Sequence, residues 1–426
     1  MEWNFLIKAK NRLMNNVFIL SSIKIYKGNS AGSSRMMNFS KALALEGVKV
    51  YLCSALLKNN IDINRLQEVY PNIFLVGEES KKPIRRIRRK LRNLVNILVT
   101  FKYFKKIIKL TKQINGDKVF YIYPTGAISI DLVSLVYIKV MHKYKLFYDV
   151  NELRRAALYN RLFSKNIFKK IYEIVFYITD YIKFWIIEIL TKYYDGLVVI
   201  STNIENYFKK YNKNLIRIPI LSYIIENPFP KIPAYIDGES FKICFTGMIS
   251  LKKEGFDIFY RALSIVKSGF KNFELHLYGP ISKNEKKLLL YDLPLQYGIK
   301  KNIVYNGIVE QANIIEEMQK NHLLILPRPL NLQTKYGFST KLSEYLISGV
   351  PVLVTDVSDN SLYIKDGYNG FIVKPGDPKE MAKKIIYIIT NYNKLKDSIC
   401  RNGYNTAKEN FNYANYSKKI YNFLFN

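Results

Sequence analysis

Between Leu323 and Thr355 the chain reads LLILPRPLNLQTKYGFSTKLSEYLISGVPVLVT, a stretch in which Arg328, Ser339, Thr340, Lys341 and Glu344 could do chemistry. Lys341 and Glu344 are three apart, so a helix carries both on one face. The apolar run Leu323–Leu326 suits a buried strand stopped by Pro327. Ser339 or Thr340 can cap a following helix, Gly349 can end it, and Pro351 blocks its continuation before the strand Val352–Val354. This order turns the helix N-terminus toward the crevice at the strand ends, where free N–H groups favour a phosphate. Lys341 in the first turn opposes the helix dipole unless an anion lies nearby. An exposed Lys–Glu pair would give the same two letters, and spacing alone does not separate the readings.

Two further segments sit where an α/β fold places its sites. Gly28–Arg35 (GNSAGSSR) follows an apolar run and precedes a helical stretch ending near Gly47. A glycine-bearing strand-to-helix turn of this sort occurs in any such fold. Asp149-Val-Asn-Glu152 follows the run Lys145–Tyr148, at the end where ligands bind, but Asp149 or Asn151 could equally cap a helix. Other chemistries lack their residues. There is no Asp-x-Asp to bridge a metal to a diphosphate, no phosphate loop of the Walker type and no nucleophile elbow. His142, His276 and His322 read as core or element-end residues. Cys53, Cys244 and Cys400 are far apart, which argues for a reducing compartment and against a disulfide framework or zinc site. No cofactor and no metal are expected.

The elements that must hold these residues alternate short β-rich runs with helical stretches, as parallel α/β sheets require. In the first half strands are expected at Val17–Ser21, Val48–Cys53, Val119–Tyr123, Lys145–Tyr148, Leu197–Ile200 and Ile216–Pro219. In the second half they are expected at Lys242–Phe245, Glu274–Tyr278, Ile303–Tyr305, Leu323–Leu326, Val352–Val354 and Phe371–Val373. A chain of 426 residues fits two domains, and the proline-dense segment Asn227–Pro233 suits a hinge between them. The expected division is 1–222 for the first domain, 223–235 for the linker, 236–404 for the second domain and 405–426 for a final amphipathic helix.

Lys and Arg total 66 against 34 Asp and Glu, a net charge of +32, which favours polyanionic partners. From Lys81 to Lys112 no acidic residue occurs, and basic residues alternate with apolar ones at helical spacing. Such a basic amphipathic segment reads as a contact for an anionic membrane surface, though a solvated helix face has the same pattern. Ile171–Leu190 is the most membrane-like run. Its Glu173, Asp180, Lys183 and Glu188 fall on one half of a helix, so it is expected to pack its apolar half rather than span a bilayer. No signal peptide is evident, and the protein is expected in the cytoplasm, peripheral on the inner face of the membrane.

The string STKLSEYLISGVPVLVT resembles the donor-binding segment of retaining glycosyltransferases of family 4, in a bacterial and archaeal polysaccharide-type subgroup. The segments IKDGYNGFIVKPGDPKEMAKKI (Ile364–Ile385), FKICFTGMISLKKEGFDIFYRAL (Phe241–Leu263), FELHLYGP (Phe273–Pro280) and IVYNGIVE (Ile303–Glu310) resemble the same family in order and spacing. The resemblance implies the GT-B architecture: two Rossmann-like doubly wound domains facing across a cleft, with the C-terminal helix returning to the first. It also implies that Glu344 binds the donor ribose, and that Gly247, Gly279, Arg328, Ser339, Thr340, Lys341 and Leu342 help hold the donor. Lys252 or Lys253, with Lys253 favoured, would meet the diphosphate as it leaves. The loop with Gly32, Ser33, Ser34 and Arg35 would reach phosphate and acceptor. Asp149 and Glu152 would stand near the reacting sugar. The family often has a glutamate eight positions before Glu344, where this chain has Tyr336.

The activity so implied is transfer of a sugar, with retention, from a nucleotide-diphosphate sugar to a glycan or lipid-linked acceptor. No nucleic-acid partner is expected. An epimerase of the same architecture would need charged groups around the sugar ring, and a nucleic-acid-binding protein would rest on net charge alone.

Overall fold

The structure is a computed structural model that describes residues 15–21, 23, 25–26, 30–54, 66–77, 92–123, 126–159, 167–224 and 232–426. Most of the hinge segment 227–233 and residues 81–91 of the basic segment lie outside the described residues, as does Gly28.

The first sheet is built from β1 (Asn16–Ser21), β2 (Lys49–Ser54), β3 (Gln67–Tyr70), β4 (Ile73–Leu75), β5 (Lys118–Ile122), β6 (Lys145–Val150), β7 (Gly196–Val199) and β8 (Leu215–Arg217). Its order is β3-β4-β2-β1-β5-β6-β7-β8. Every pair is parallel except β3–β4, an edge hairpin turned at Asn72 with φ of 62°. That hairpin was not expected. Its first strand, QEVY, is largely polar and lies half in solvent, so it shows none of the apolar runs that mark the buried strands. The second sheet is wholly parallel: β9 (Phe241–Thr246), β10 (Phe273–Tyr278), β11 (Ile303–Gly307), β12 (Leu323–Leu326), β13 (Val352–Thr355) and β14 (Phe371–Val373), in the order β11-β10-β9-β12-β13-β14.

Strand order reverses at β1 in the first sheet and at β9 in the second, which opens a crevice outside the carboxyl ends of those strands. The central strands VFIL, LLIL and VLV are fully buried, as expected of strands covered on both faces. Phe18 stacks between Tyr51 and Phe120 at 4.7 and 5.2 Å, and each such ring contributes about 1.5–3 kcal/mol by burial.

The helices that position the crevice are α1 (Ala31–Leu45) after β1, α2 (Arg92–Thr111), α3 (Ile128–Val133), α4 (Ile167–Leu190), α5 (Leu251–Glu254) and α6 (Phe256–Gly269) after β9, and α7 (Thr340–Ser348). They are followed by α8 (Pro378–Phe411) and α9 (Ser417–Phe425). The boundary expected at 404–405 falls inside α8, which runs unbroken for 34 residues. The chain returns to the first domain at Asn412 instead, where Ser222 N donates to Phe411 O at 2.7 Å and Tyr413 N to Ser222 O at 3.2 Å. There α9 packs Ile420 and Leu424 against the core around Val17, Met36 and Phe39.

The two domains touch through named bonds. Leu153 N donates to Tyr336 O at 3.1 Å, and Thr202 N to Asp359 Oδ2 at 2.9 Å. Arg217 pairs with the same Asp359 oxygen at 3.0 Å.

Candidate functional site

The segments that follow β1, β5, β6 and β7 in the first domain and β9, β10, β11 and β12 in the second line the crevice. The turn after β9 passes against Lys341 in the first turn of α7. Gly247 has φ of 105° and Gly279 φ of 129°. A β-carbon on Gly247 would run into Lys341 Cε, and one on Gly279 into the Gly247 carbonyl, so both turns close only without side chains.

Behind that turn lies a buried ionic cluster. Arg328 donates through Nε to Glu254 Oε2 and through Nη2 to Oε1, each at 3.0 Å, while Lys341 Nζ reaches Oε1 at 2.8 Å. Glu254 is 1% exposed. Burial alone would raise its pKa, but the two cations outweigh that and hold it well below the carboxylate range. For Lys341 burial wins instead: with Arg328 nearby it lowers the ammonium to about 8, against the pull of Glu254. Burial and Arg328 also lower Lys253, opposed by Glu254 and Glu152.

Two hollows of about 1330 and 1080 Å³ share Ser30, Ala31, Lys253, Arg328 and Thr340, and so form two ends of one crevice. The larger end is lined by Ser34, Gly247, Gly279, Gln311, Lys341 and Glu344. Glu344 lies half-buried there with Gln311 Nε2 at 3.5 Å from its Oε1, and burial raises its pKa despite Lys341. The other end carries Gly32, Tyr123, Asn151, Glu152 and Arg154. Asn151 donates to Tyr123 Oη at 2.6 Å, leaving its buried Oδ1 without a partner among the described residues. Glu152 stands 3.9 Å from Arg154.

Several expected site residues are placed elsewhere. Asp149 is fully enclosed: Arg35 Nε meets its two oxygens at 3.2 and 3.1 Å, and Tyr121 Oη donates to it at 2.7 Å. Its charge is met inside the first domain by Arg35 and Tyr121. The same bonds turn the Arg35 guanidinium inward, where it also donates to Pro219 O at 2.8 Å, while the residue still borders the smaller hollow. Ser33 serves the start of α1, its N–H donating to Ser30 Oγ at 3.1 Å; Gly32 and Ser34 are left to face the crevice. Lys252 is exposed and lines neither hollow, whereas Lys253 lines both. Leu342 is a core side chain, and its N–H is taken by Ser339 O at 3.2 Å. Ser339 precedes α7 but makes no side-chain cap, and its buried Oγ lacks a partner among the described residues. Thr340, at the first turn of α7, lines both hollows. Tyr336 leans on Tyr207 of the first domain at 5.5 Å between ring centroids and makes an interdomain contact.

Sequence reasoning missed Glu254, Gln311, Asn151 and Arg154. Glu254 stands in a run that looks like a solvated charge cluster, but the left-handed Gly255, with φ of 75°, ends α5 there and the carboxylate is buried against Arg328 and Lys341.

Residues 240–391 match the family model described as Glycosyl transferases group 1. Two uncharacterized glycosyltransferases of Methanocaldococcus jannaschii are similar at 24% identity, over 246 and 218 residues. These alignments cover 56% and 50% of this chain and only 60% and 55% of the relatives' own length. Among solved structures, sucrose-phosphate synthase from Thermosynechococcus elongatus has 14% identity and a TM-score of 0.66, covering 96% of this chain and 99% of that one. The Anabaena protein HepE in complex with UDP and glucose has 16% identity and a TM-score of 0.64, covering 96% and 98%. The two-domain α/β arrangement is therefore the GT-B fold, and its second half is similar to the glycosyl transferases group 1 family.

Proposed function

We propose that this protein is a glycosyltransferase that moves a sugar from a nucleoside-diphosphate sugar to an acceptor with retention at the anomeric carbon. The observation that carries the reading is a single crevice holding a half-buried carboxylate, Glu344, together with Lys253, Arg328 and Lys341 beside the start of α7. A carboxylate in that position can accept both ribose hydroxyls, and the cations and helix N–H groups suit a diphosphate. The similar HepE structure holds UDP and glucose, which supports a donor of that class.

In the proposed reaction the bond from the anomeric carbon to the diphosphate oxygen breaks. The bond to the acceptor oxygen forms on the same face, and the acceptor's proton passes to the departing diphosphate. Lys253 and Arg328 stabilise the charge that develops there, and no metal or other cofactor is required. Glu152 and Asn151, at the opposite end of the crevice, position the acceptor. Asp149, which the sequence placed near the sugar, acts instead through the frame that holds that end. The acceptor is a glycan or lipid-linked glycan, met at the inner face of the membrane. The described part of the basic segment supports that location, because α2 exposes Lys102, Lys105 and Lys109.

A thermal-shift screen against nucleoside diphosphates and their sugars tests the donor site, since a ligand that binds only the folded state raises the melting temperature. At least one of them should do so, and Glu344→Ala should abolish both the shift and transfer while far-UV circular dichroism stays unchanged. Full activity in that variant would refute the assignment.

A further inference from the structure

Helix α4 is inverted relative to an ordinary surface helix. At 100° per residue, Ile167, Ile171, Val175, Ile178, Ile182 and Trp185 fall within an arc of about 80°. They are 45–61% exposed. The acidic residues lie on the other side: Glu188 is buried against Arg155 at 2.8 Å, and Asp180 pairs with Lys183 at 2.7 Å. The apolar half expected to pack on the core therefore faces outward, as a stripe about 27 Å long. It does not stand alone. α3 packs against both α4 and α2, and the turns that follow α3 expose Val136, Val140 and Met141. Phe101 of α2 meets Tyr137 at 4.7 Å. Beside them a groove of about 930 Å³ is lined by Lys102, Lys105, Lys106, Lys109 and Lys112.

We infer that α4 is the apolar anchor of this protein on an anionic lipid surface, lying in the plane of the headgroups with its stripe among the acyl chains and the lysine groove on lipid phosphates. Among the described residues no helix is long and apolar enough to cross a membrane, so the helix lies along the bilayer rather than through it. The occupant follows from charge. A second copy would bring another +32 chain and its own lysine groove against the first, whereas anionic headgroups neutralise the lysines while the acyl region takes the stripe. The inference goes beyond the donor site and does not depend on it.

Its test is flotation with vesicles of phosphatidylcholine mixed with phosphatidylglycerol. The chain has two tryptophans, Trp3 and Trp185, so a Trp3→Phe background makes fluorescence report on α4 alone. The mixed vesicles should bind the protein and blue-shift Trp185 emission. Ile171→Gln/Ile178→Gln/Val175→Gln should lower binding by at least ~tenfold. These positions are solvent-exposed, so the variant should keep its circular dichroism and its nucleotide-induced thermal shift; loss of that shift alone would count against the donor site and not against the anchor. Undiminished flotation of the triple variant, an unmoved Trp185 spectrum, or a concentration-dependent dimer abolished by the same substitutions would each overturn the inference.

Discussion

Each domain buries an arginine against a carboxylate near the carboxyl ends of its strands, and the two pairs have opposite surroundings. In the first domain Asp149 takes Arg35 and Tyr121 and is closed on every side at 0% exposure. In the second, Glu254 takes Arg328 and Lys341, which line the wall of the larger hollow. The first pair holds strand ends in register: Asp149 lies on β6, Tyr121 on β5, and Arg35 ties α1 to the carbonyls after β8. The second pair presents charge. One carboxylate shared by two cations leaves a net positive wall where a diphosphate would lie. Burial of an ion pair is thus no sign of function by itself; what matters is whether a partner remains for something else to bind.

The largest expected effect comes from breaking the closed pair. Asp149→Ala leaves Arg35 buried without an anion, a loss of about 3–5 kcal/mol. Urea unfolding followed by circular dichroism should show it as a lower midpoint. The thermal shift with a nucleoside diphosphate should survive in the folded variant, because Asp149 reaches no ligand. An Asp149→Asn chain of normal stability that has lost transfer would reverse this and make Asp149 a group acting on the sugar.

Glu254→Gln should cost less, about 1–3 kcal/mol, since Arg328 and Lys341 keep a hydrogen-bonding neighbour and border the crevice. The sharper readout is ligand binding. With the carboxylate charge gone, both cations face the diphosphate uncompensated, so the nucleotide-induced shift should equal or exceed that of the natural chain. A shift reduced to nothing would show that Glu254 is needed to aim Arg328, and the contrast between the two pairs would narrow to one of exposure.

The legibility of these features in the sequence followed their physics. Strand runs such as LLIL and VLVT, and the ending of α7 at Gly349 and Pro351, are local signals, and the second sheet follows from them. The hairpin at 67–75 has no such signal, because an edge strand needs no apolar run. Glu254 sits in LKKEG, which looks like a solvated charge run until Gly255 reverses the chain. Arg35 looked like a phosphate ligand because its loop does face the crevice, but its length lets it reach back to Asp149. Periodicity assigned α4 an apolar side correctly and could not say that this side faces away from the core.

The smallest effect is one of pH. In the free protein, burial beside Arg328 brings Lys341 down to about 8 from an ordinary 10.5. Below that pH its ammonium is present for a diphosphate, and above it the charge is lost, so nucleotide affinity should fall as pH rises through about 8. Stability moves in the opposite sense. Between the lowered value and the ordinary one the unfolded chain holds the proton that the folded chain has released, so this group's contribution to stability rises with pH across that window. Lys341→Met should flatten the affinity profile measured by calorimetric titration at fixed salt. A smaller slope should remain, because burial and Arg328 also depress Lys253 on the same wall. If the slope were unchanged in Lys341→Met, the titrating cation would be Lys253 alone, and Lys341 would serve only as a counter-charge for Glu254, making the second pair as closed in function as the first.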